Sequence, residues 1–240
     1  MSRTAPSTMK IHAAPQMLEY RTAVDRIAAD GHRNVLDWGC GHGQLSRLLL
    51  DRGLDVTSYD YSGGADGVEQ KPLELYPGIT ATVSSDSRAI PFPDDSFDAV
   101  LSMGVLEHVQ DPEASLDEIR RVLVPGGLFY CYKLPNRSSY LEFIARHSGM
   151  FFHGQEPFDT LYTVPEAVEL FRRHGFDVLD AKLANMLPLA IPGRVTDALG
   201  APIWRTSNGL ARVPGVKRLA TNVELVARAL PDSSASSSSN

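Results

Sequence analysis

The sequence has little of what disulfide-rich and membrane-spanning proteins depend on. Its 240 residues include only two cysteines, Cys40 and Cys131, too few for a disulfide framework. No apolar run reaches the roughly 18 residues that a membrane-spanning helix needs. The polar N-terminus also lacks the apolar core of a secretory signal. These absences predict a cytoplasmic protein without an integral membrane segment.

The chain also lacks an excess of basic residues. The formal net charge is −6 and no block of lysine and arginine stands out, so a nucleic acid is not an expected partner. Hydrophobic residues make up 43% of the chain, which suits a globular domain with a full core. We expect one domain over residues 13–230, with insertions near 136–162 and 185–218. Residues 1–12 are expected to be mobile, and the serine-rich tail 231–240 to be disordered.

The chain is organised around the segment Val35–Gly43. An apolar pair runs into Asp37, glycines follow at positions 39, 41 and 43, and leucines then recur with a helical period. This pattern predicts a buried strand, a tight glycine loop and the first turn of a helix. Glycines let a ligand approach the backbone closely, and a helix start offers unpaired N–H groups.

Two well-known phosphate-binding loops do not fit this segment. A dinucleotide-binding G-x-G-x-x-G loop would need glycine where Gln44 stands, and no Gly-Lys-Ser/Thr of a P-loop follows. A carboxylate at Asp37 suits a cationic group and would repel a pyrophosphate. An NAD-dependent oxidoreductase is therefore disfavoured, and a glycine-rich turn without a ligand is kept as an alternative.

Strand and helix patterns alternate through the fifth strand, which predicts an α/β, doubly wound, mostly parallel sheet. Residues 136–162 are rich in aromatic side chains and are expected to have irregular secondary structure. Trp204 is expected to lie between two short helices. The predicted helices cover 14–30, 44–51, 112–123 and 163–174. The predicted strands cover 33–38, 55–60, 79–83, 128–132, 176–183 and 221–229. A further strand, strand 4, is expected from the segment 94–102 and ends before Met103.

One acidic residue ends the second predicted strand, and another follows the third. Asp60 comes about 20 residues after the glycines, the spacing at which a carboxylate can bind ribose hydroxyls. A helix N-cap is the alternative role for Asp60. Asp86 and Ser87 follow the third strand, where they could form hydrogen bonds with the edge of an adenine. The alternative is that Asp-Ser simply forms a turn, as this dipeptide commonly does.

The segment Asp37–Gly43 closely resembles the first motif of class I S-adenosylmethionine-dependent methyltransferases. Residues Asp94–Ser102 resemble the family's fourth motif. The order of the following segments resembles the branch of this family that serves ubiquinone and menaquinone biosynthesis. The order is Leu106–Val109, Asp111-Pro112, a helix, Pro125–Gly127 and a strand. The resemblance covers residues 34–133, under half of the chain.

The resemblance implies a Rossmann-like methyltransferase fold, a three-layer sandwich whose seven-stranded sheet has its last strand antiparallel beside strand 5. It also implies S-adenosyl-L-methionine as the cofactor. In the glycine loop, Asp37, Gly39, Cys40, Gly41 and Gly43 would bind the methionine moiety. Outside the loop, the implied contacts are Asp60 with Tyr61 at the ribose, Asp86 and Ser87 at the adenine, and Met103 and Gly104 near the sulfonium.

Two histidines are candidate bases, because an imidazole titrates near neutrality. His108 follows strand 4 beside the expected methyl position, and His153 lies in the aromatic insertion. For each, a purely structural role is the alternative. Some relatives use a Glu-x-x-Glu-His cluster for a divalent metal, but Gly104 stands in place of the first glutamate here, so we expect no metal.

The expected acceptor is a small organic molecule, apolar or aromatic, bound among the aromatic residues of 136–162 with Met186, Leu187 and Trp204. An equally weighted alternative is that these side chains simply cover the sheet edge. The predicted reaction is methylation, first of all at oxygen. N- or C-methylation and a non-catalytic cofactor-binding protein are the rivals, and the oligomeric state is left open.

Overall fold

The computed structural model describes residues 13–61, 76–84, 89–148, 159–191 and 193–231. The helices are α1 (Ala14–Ala29), α2 (Gln44–Leu50), α3 (Pro112–Val122), α4 (Tyr140–Ser148), α5 (Val164–Arg173), α6 (Arg194–Ala198) and α7 (Gly200–Leu210). The strands are β1 (Asn34–Trp38), β2 (Asp55–Tyr61), β3 (Ala81–Ser84), β4 (Phe97–Met103), β5 (Leu123–Pro135), β6 (Phe176–Ala184) and β7 (Asn222–Ala229). Short 3-10 turns lie at Leu106–His108 and Val216–Leu219.

The strands form one seven-stranded sheet in the order β3-β2-β1-β4-β5-β7-β6. Strands β1 to β5 pair in parallel, and β7 runs antiparallel between β5 and β6. The predicted fold class is confirmed, including the antiparallel last strand beside β5. The chain order reverses between β1 and β4, and ligands of open α/β sheets bind at the carboxyl ends of the strands at such a point.

Two apolar layers cover the sheet because successive residues of a strand face opposite sides. Val35 packs with α1 and α2, whereas the next residue, Leu36, packs with α3 and α5. Helix starts follow their sequence signals. Asp111 accepts a hydrogen bond from the Ala114 N–H at 3.0 Å ahead of α3.

The structure departs from the sequence predictions at three places. Strand β5 begins at Leu123, because Phe97 already pairs with Leu123 and Ala99 with Leu128, and the Pro-Gly-Gly turn is accommodated as an irregularity within the strand. The segment expected to be irregular contains the helix α4, and Trp204 lies inside α7 rather than between two helices. Periodicity over a few residues could not resolve these short elements.

No helix within the described ranges is long and apolar enough to cross a membrane. The predictions for residues 1–12 and for most of the serine-rich tail fall outside the described residues.

Candidate functional site

The glycine loop between β1 and α2 is tied to the neighbouring strand through its backbone. The N–H groups of Gly39 and Cys40 both donate to the carbonyl of Tyr59, at 2.9 Å each. Gly39 has a φ of +76°, and a Cβ there would lie 2.4 Å from a methyl carbon of Val105. Only glycine allows this loop to lie so close to the segment after β4.

The middle of the loop faces open space. A Cβ on Gly41 would meet no atom of the described residues within 4 Å, so among these residues a ligand has room to lie against this peptide. The Gly41 N–H donates to Oδ2 of Asp60 at 2.6 Å, and Oδ1 of Asp60 accepts the Tyr61 N–H at 2.7 Å. The structure thus brings together the loop and the acid of β2, which were predicted to bind the same ligand.

Both oxygens of Asp60 still have lone pairs with which they could accept hydrogen bonds from a vicinal diol. Partial burial raises the pKa of Asp60, while the amide hydrogen bonds from Gly41 and Tyr61 lower it. Its contact with a ribose stays a prediction.

Asp37 is almost fully buried, with 1% of its surface exposed. Its Oδ2 accepts the Ser46 hydroxyl at 2.5 Å, and Ser46 in turn accepts the hydroxyl of Ser58 at 2.7 Å. Burial raises the pKa of Asp37 to about 6, although the hydrogen bonds from Ser46 oppose the rise. This carboxylate therefore joins β1 to α2 beneath the loop, and its contact with a methionine moiety stays a prediction.

Gln44 is a buried residue that the sequence reasoning used only to exclude a dinucleotide loop. It is the first residue of α2, is 7% exposed, and its amide nitrogen has no hydrogen-bond partner in the described structure. Native proteins rarely leave such a donor unpaired. Its position directly after the third glycine makes it a donor available to a carboxylate bound in the loop.

Met103 and Gly104 lie at the carboxyl end of β4, next to the glycine loop. The Gly104 N–H donates to the Tyr132 carbonyl at 3.0 Å, and Gly104 has a φ of +73°. A Cβ on Gly104 would lie 3.6 Å from Oε1 of Glu107. The predicted floor of the site therefore borders a buried carboxyl group.

His108 faces two acids at the mouth of the site. Its Nδ1 lies 2.7 Å from Oδ1 of Asp159, whose side chain is 6% exposed, and its Nε2 lies 3.8 Å from Oε1 of Glu107. The Thr160 N–H donates to the Glu107 carbonyl at 2.9 Å and so holds the Asp159 segment in place. Sequence reasoning missed Asp159, because it lies 51 residues from its partner and outside any motif.

Glu107 is the most buried acid near this mouth, at 2% exposure. One of its carboxyl oxygens has no hydrogen-bond partner within the described residues. Burial raises the pKa of Glu107 to about 7, although His108 and Lys133 oppose the rise. A carboxyl group that exchanges its proton near neutrality therefore lies beside the candidate base.

A second polar cluster joins α1 to the ends of β5 and β6. Lys133 lies 3.4 Å from Oε2 of Glu19, and the Asn185 side-chain amide donates to the other oxygen of Glu19. Lys133 and Asn185 both have left-handed backbone, with φ of +65° and +59°. Such strain in residues other than glycine persists where surrounding contacts enforce it, often at functional sites. No local sequence pattern predicted this cluster.

Of the remaining residues that were predicted to belong to the site, Cys40 lies in the described part of the chain and three others do not. Cys40 is buried, burial raises the pKa of its thiol, and its backbone N–H already donates to the carbonyl of Tyr59. Asp86, Ser87 and His153 lie outside the described residues. Within the described ranges, no group of three or more His, Cys, Asp or Glu residues is placed to hold a metal ion.

Of the residues expected to line an acceptor pocket, Trp204 borders a cavity on the α1 side of the sheet. Met186 instead packs in a small apolar cluster with Ala211 and Ala220. Phe143 and His147 of α4 contact each other, with ring centroids 4.1 Å apart.

The sequence of this chain is similar to those of known methyltransferases. A family model described as a methyltransferase domain matches residues 36–131. A ubiquinone biosynthesis O-methyltransferase of Cereibacter sphaeroides is 32% identical over 192 residues, covering 70% of this chain and 73% of the relative. A demethylmenaquinone methyltransferase of Renibacterium salmoninarum is 35% identical over 132 residues, covering 52% of this chain. The chain spans about half of that relative's length, 54%.

Solved structures share the fold. The 1,6-didemethyltoxoflavin N1-methyltransferase of Burkholderia thailandensis, with 1,6-didemethyltoxoflavin and S-adenosylhomocysteine bound, superposes with a TM-score of 0.56 at 19% identity. The superposition covers 88% of this chain and 78% of that one.

Proposed function

The chain belongs to the class I S-adenosylmethionine-dependent methyltransferases, in their quinone-biosynthesis-like branch, and we propose that it methylates an oxygen atom of a small organic acceptor. Family membership rests on the matched domain and on the relative aligned over 73% of its length. The choice of oxygen is supported by the O-methyltransferase activity in that relative's name and by the histidine–carboxylate pair at the mouth of the site.

The residues of the glycine loop fit S-adenosylmethionine. Gly41 leaves an open face, Gln44 offers an unpaired amide donor for a carboxylate, and Asp60 offers acceptor oxygens for a diol. When bound, the cofactor supplies a methyl group that its sulfonium has already activated. We assign the methionine moiety to the loop Gly39–Gly43, with Asp37 holding the loop against α2, and the ribose to Asp60.

The chain's own contribution to the reaction is then mainly orientation. Holding the nucleophile in line with the reacting carbon can supply several powers of ten in rate. In the proposed arrangement, Met103 and Gly104 form the floor below the reacting atoms, and Glu107 lies directly behind Gly104.

An acceptor hydroxyl must lose a proton as its oxygen attacks, which calls for a base within reach. His108 has its Nδ1 directed at Asp159, so the tautomer with the proton on Nδ1 is favoured. In this tautomer, Nε2 accepts the proton of the acceptor hydroxyl. Asp159 acts as a positioning residue, because it orients the ring and stabilises the imidazolium without touching the acceptor.

The observation that carries the proposal is the hydrogen bond between the Gly41 N–H and Asp60, which joins the glycine loop to the acid of β2. We expect S-adenosylhomocysteine to bind the full chain in calorimetry with a dissociation constant on the order of micromolar. Asp60→Ala removes the diol acceptor and Gly41→Val fills the open face, so each variant should abolish detectable binding.

Asp55→Ala, at the opposite end of the same strand, is the matched control and should bind like the wild type. If both site variants bind as tightly as the wild type, the proposed cofactor site is wrong. Mass spectra of products from a panel of phenols, amines and carbon acids then identify the methylated atom.

A further inference from the structure

A cavity of about 820 Å³ lies on the α1 side of the sheet. Glu19 of α1, Met103 of β4, Tyr132 of β5 and Trp204 of α7 all border it. Met103 also belongs to the proposed floor of the methyl site, so the cavity opens next to the place where an acceptor must react. Its volume is that of a pocket for a small organic molecule.

The acids in the cavity wall are already paired. Glu19 faces Lys133 at 3.4 Å, and Glu224 faces Lys182, also at 3.4 Å. Their negative charges are therefore largely compensated within the wall. They do not call for a cationic ligand.

The cations on the opposite side are not compensated in this way. Arg205, Arg212, Lys217 and Arg218 border the cavity, and we call them the cationic rim. All four are exposed, and none forms an ion pair with any described residue.

The rim belongs to a segment whose charge opposes that of the chain. Residues 186–221 contain five basic residues and one acidic residue, whereas the whole chain has a net charge of −6. Cations gathered at a cavity with low-dielectric walls concentrate their field there and attract anions. Guanidinium groups also match the geometry of carboxylate and phosphate oxygens.

We propose that this cavity binds the methyl acceptor through an anionic group, a carboxylate or a phosphate, held by the cationic rim. The inference rests on the proposed function and names the class of its acceptor. The reacting end of the acceptor lies toward Met103, and the anionic end lies toward Arg212 and Lys217.

The test compares two catechols of similar size that differ in charge, 3,4-dihydroxybenzoate and 4-methylcatechol. Binding of each is measured by calorimetry to the full chain saturated with S-adenosylhomocysteine. We expect 3,4-dihydroxybenzoate to bind about tenfold more tightly, as one charge–charge contact near a surface predicts. The double variant Arg212→Gln/Lys217→Gln should reduce this preference to near parity.

Arg172→Gln/Arg194→Gln is the matched control, because it removes the same charge from exposed arginines that do not border the cavity. It should keep the preference. Equal binding of the two catechols, failure of 3,4-dihydroxybenzoate to bind, or a preference that survives in the rim variant overturns the inference.

Two further readouts separate the causes of failure. If the rim variant loses binding to phosphatidylglycerol vesicles while both catechols bind alike, the rim serves an anionic lipid surface and the inference is overturned. If S-adenosylhomocysteine itself does not bind, the proposed function fails as well. If it binds without any preference between the catechols, only the anionic acceptor is wrong.

Discussion

At the scale of single residues, Glu107 predicts how stability depends on pH. Burial raises the pKa of Glu107 from its ordinary 4.5 to about 7, so between these values the folded state binds more protons than the unfolded state. Stability therefore falls as pH rises through this window, by about 3 kcal/mol for a shift of this size. We expect urea unfolding at pH 5 and pH 8 to show this loss relative to Glu107→Gln.

Asp37, with a raised pKa of about 6, contributes a slope of the same sign to the wild type and to the Glu107→Gln variant. The comparison between these two proteins therefore isolates Glu107. Glu169→Gln, at an exposed position of α5, is the control and should follow the wild-type curve. Parallel curves for wild type and Glu107→Gln would contradict the assigned burial effect.

Asp159 gives a second prediction at this scale. Asp159→Asn keeps the size of the side chain but no longer holds His108 in one tautomer through a carboxylate. We expect kcat to fall roughly tenfold to hundredfold. The dissociation constant for S-adenosylhomocysteine should stay unchanged, since Asp159 acts through His108 in the proposed arrangement. Single-turnover rates measured alongside calorimetry test this split, and equal losses in both would indicate a structural role instead.

At the scale of elements, the start of α5 depends on a reciprocal cap. Glu166 Oε2 accepts the Thr163 N–H at 2.9 Å, and the Thr163 hydroxyl accepts the Glu166 N–H at 3.4 Å. We expect Thr163→Ala to lower the free energy of unfolding by about 1 kcal/mol. Thr22→Ala in the middle of α1 is the control and should change it by less than about 0.5 kcal/mol.

The connection between β6 and β7 adds two helices to the fold without altering the order of the strands. It carries α6, α7 and the cationic rim, while β7 keeps its place beside β5. The strands position the residues of the proposed cofactor site, and the inserted helices cover the side of the sheet where the acceptor is proposed to bind. Variation in such a connection could change the acceptor without disturbing cofactor binding.

At the scale of the whole molecule, β7 holds the second half of the sheet together. It pairs with β5 on one side and β6 on the other, and five of its residues are at most 2% exposed. These residues are Val223, Leu225, Val226, Ala227 and Ala229. Each buried valine or leucine contributes about 1.5–3 kcal/mol, so their sum is comparable with a typical domain's total stability.

A chain that ends at residue 221 should therefore lose its cooperative thermal transition, because β6 would have no partner strand and β5 would keep only β4. A chain that ends at residue 231 keeps β7 and is the control. Circular dichroism during heating distinguishes the two. A cooperative transition in the shorter chain would show that the sheet does not depend on β7.

The sequence by itself determined the features that rest on neighbouring residues. The glycine loop with Asp37, the acid at the end of β2, the starts of α3 and α5 and the alternation of strands and helices are all local patterns. A hydrogen bond or an apolar stripe that spans a few residues leaves its signature in those residues, which is why these predictions matched the structure.

Only the tertiary structure decided which distant residues share the site. Asp159 reaches His108 across 51 residues, and Asn185 reaches Glu19 across 166. The cationic rim and Met103 border the same cavity only because the segment before β7 folds back over the sheet. Such pairings arise from strand order and chain reversal, and nothing in the local sequence encodes which side chains the folded sheet brings together.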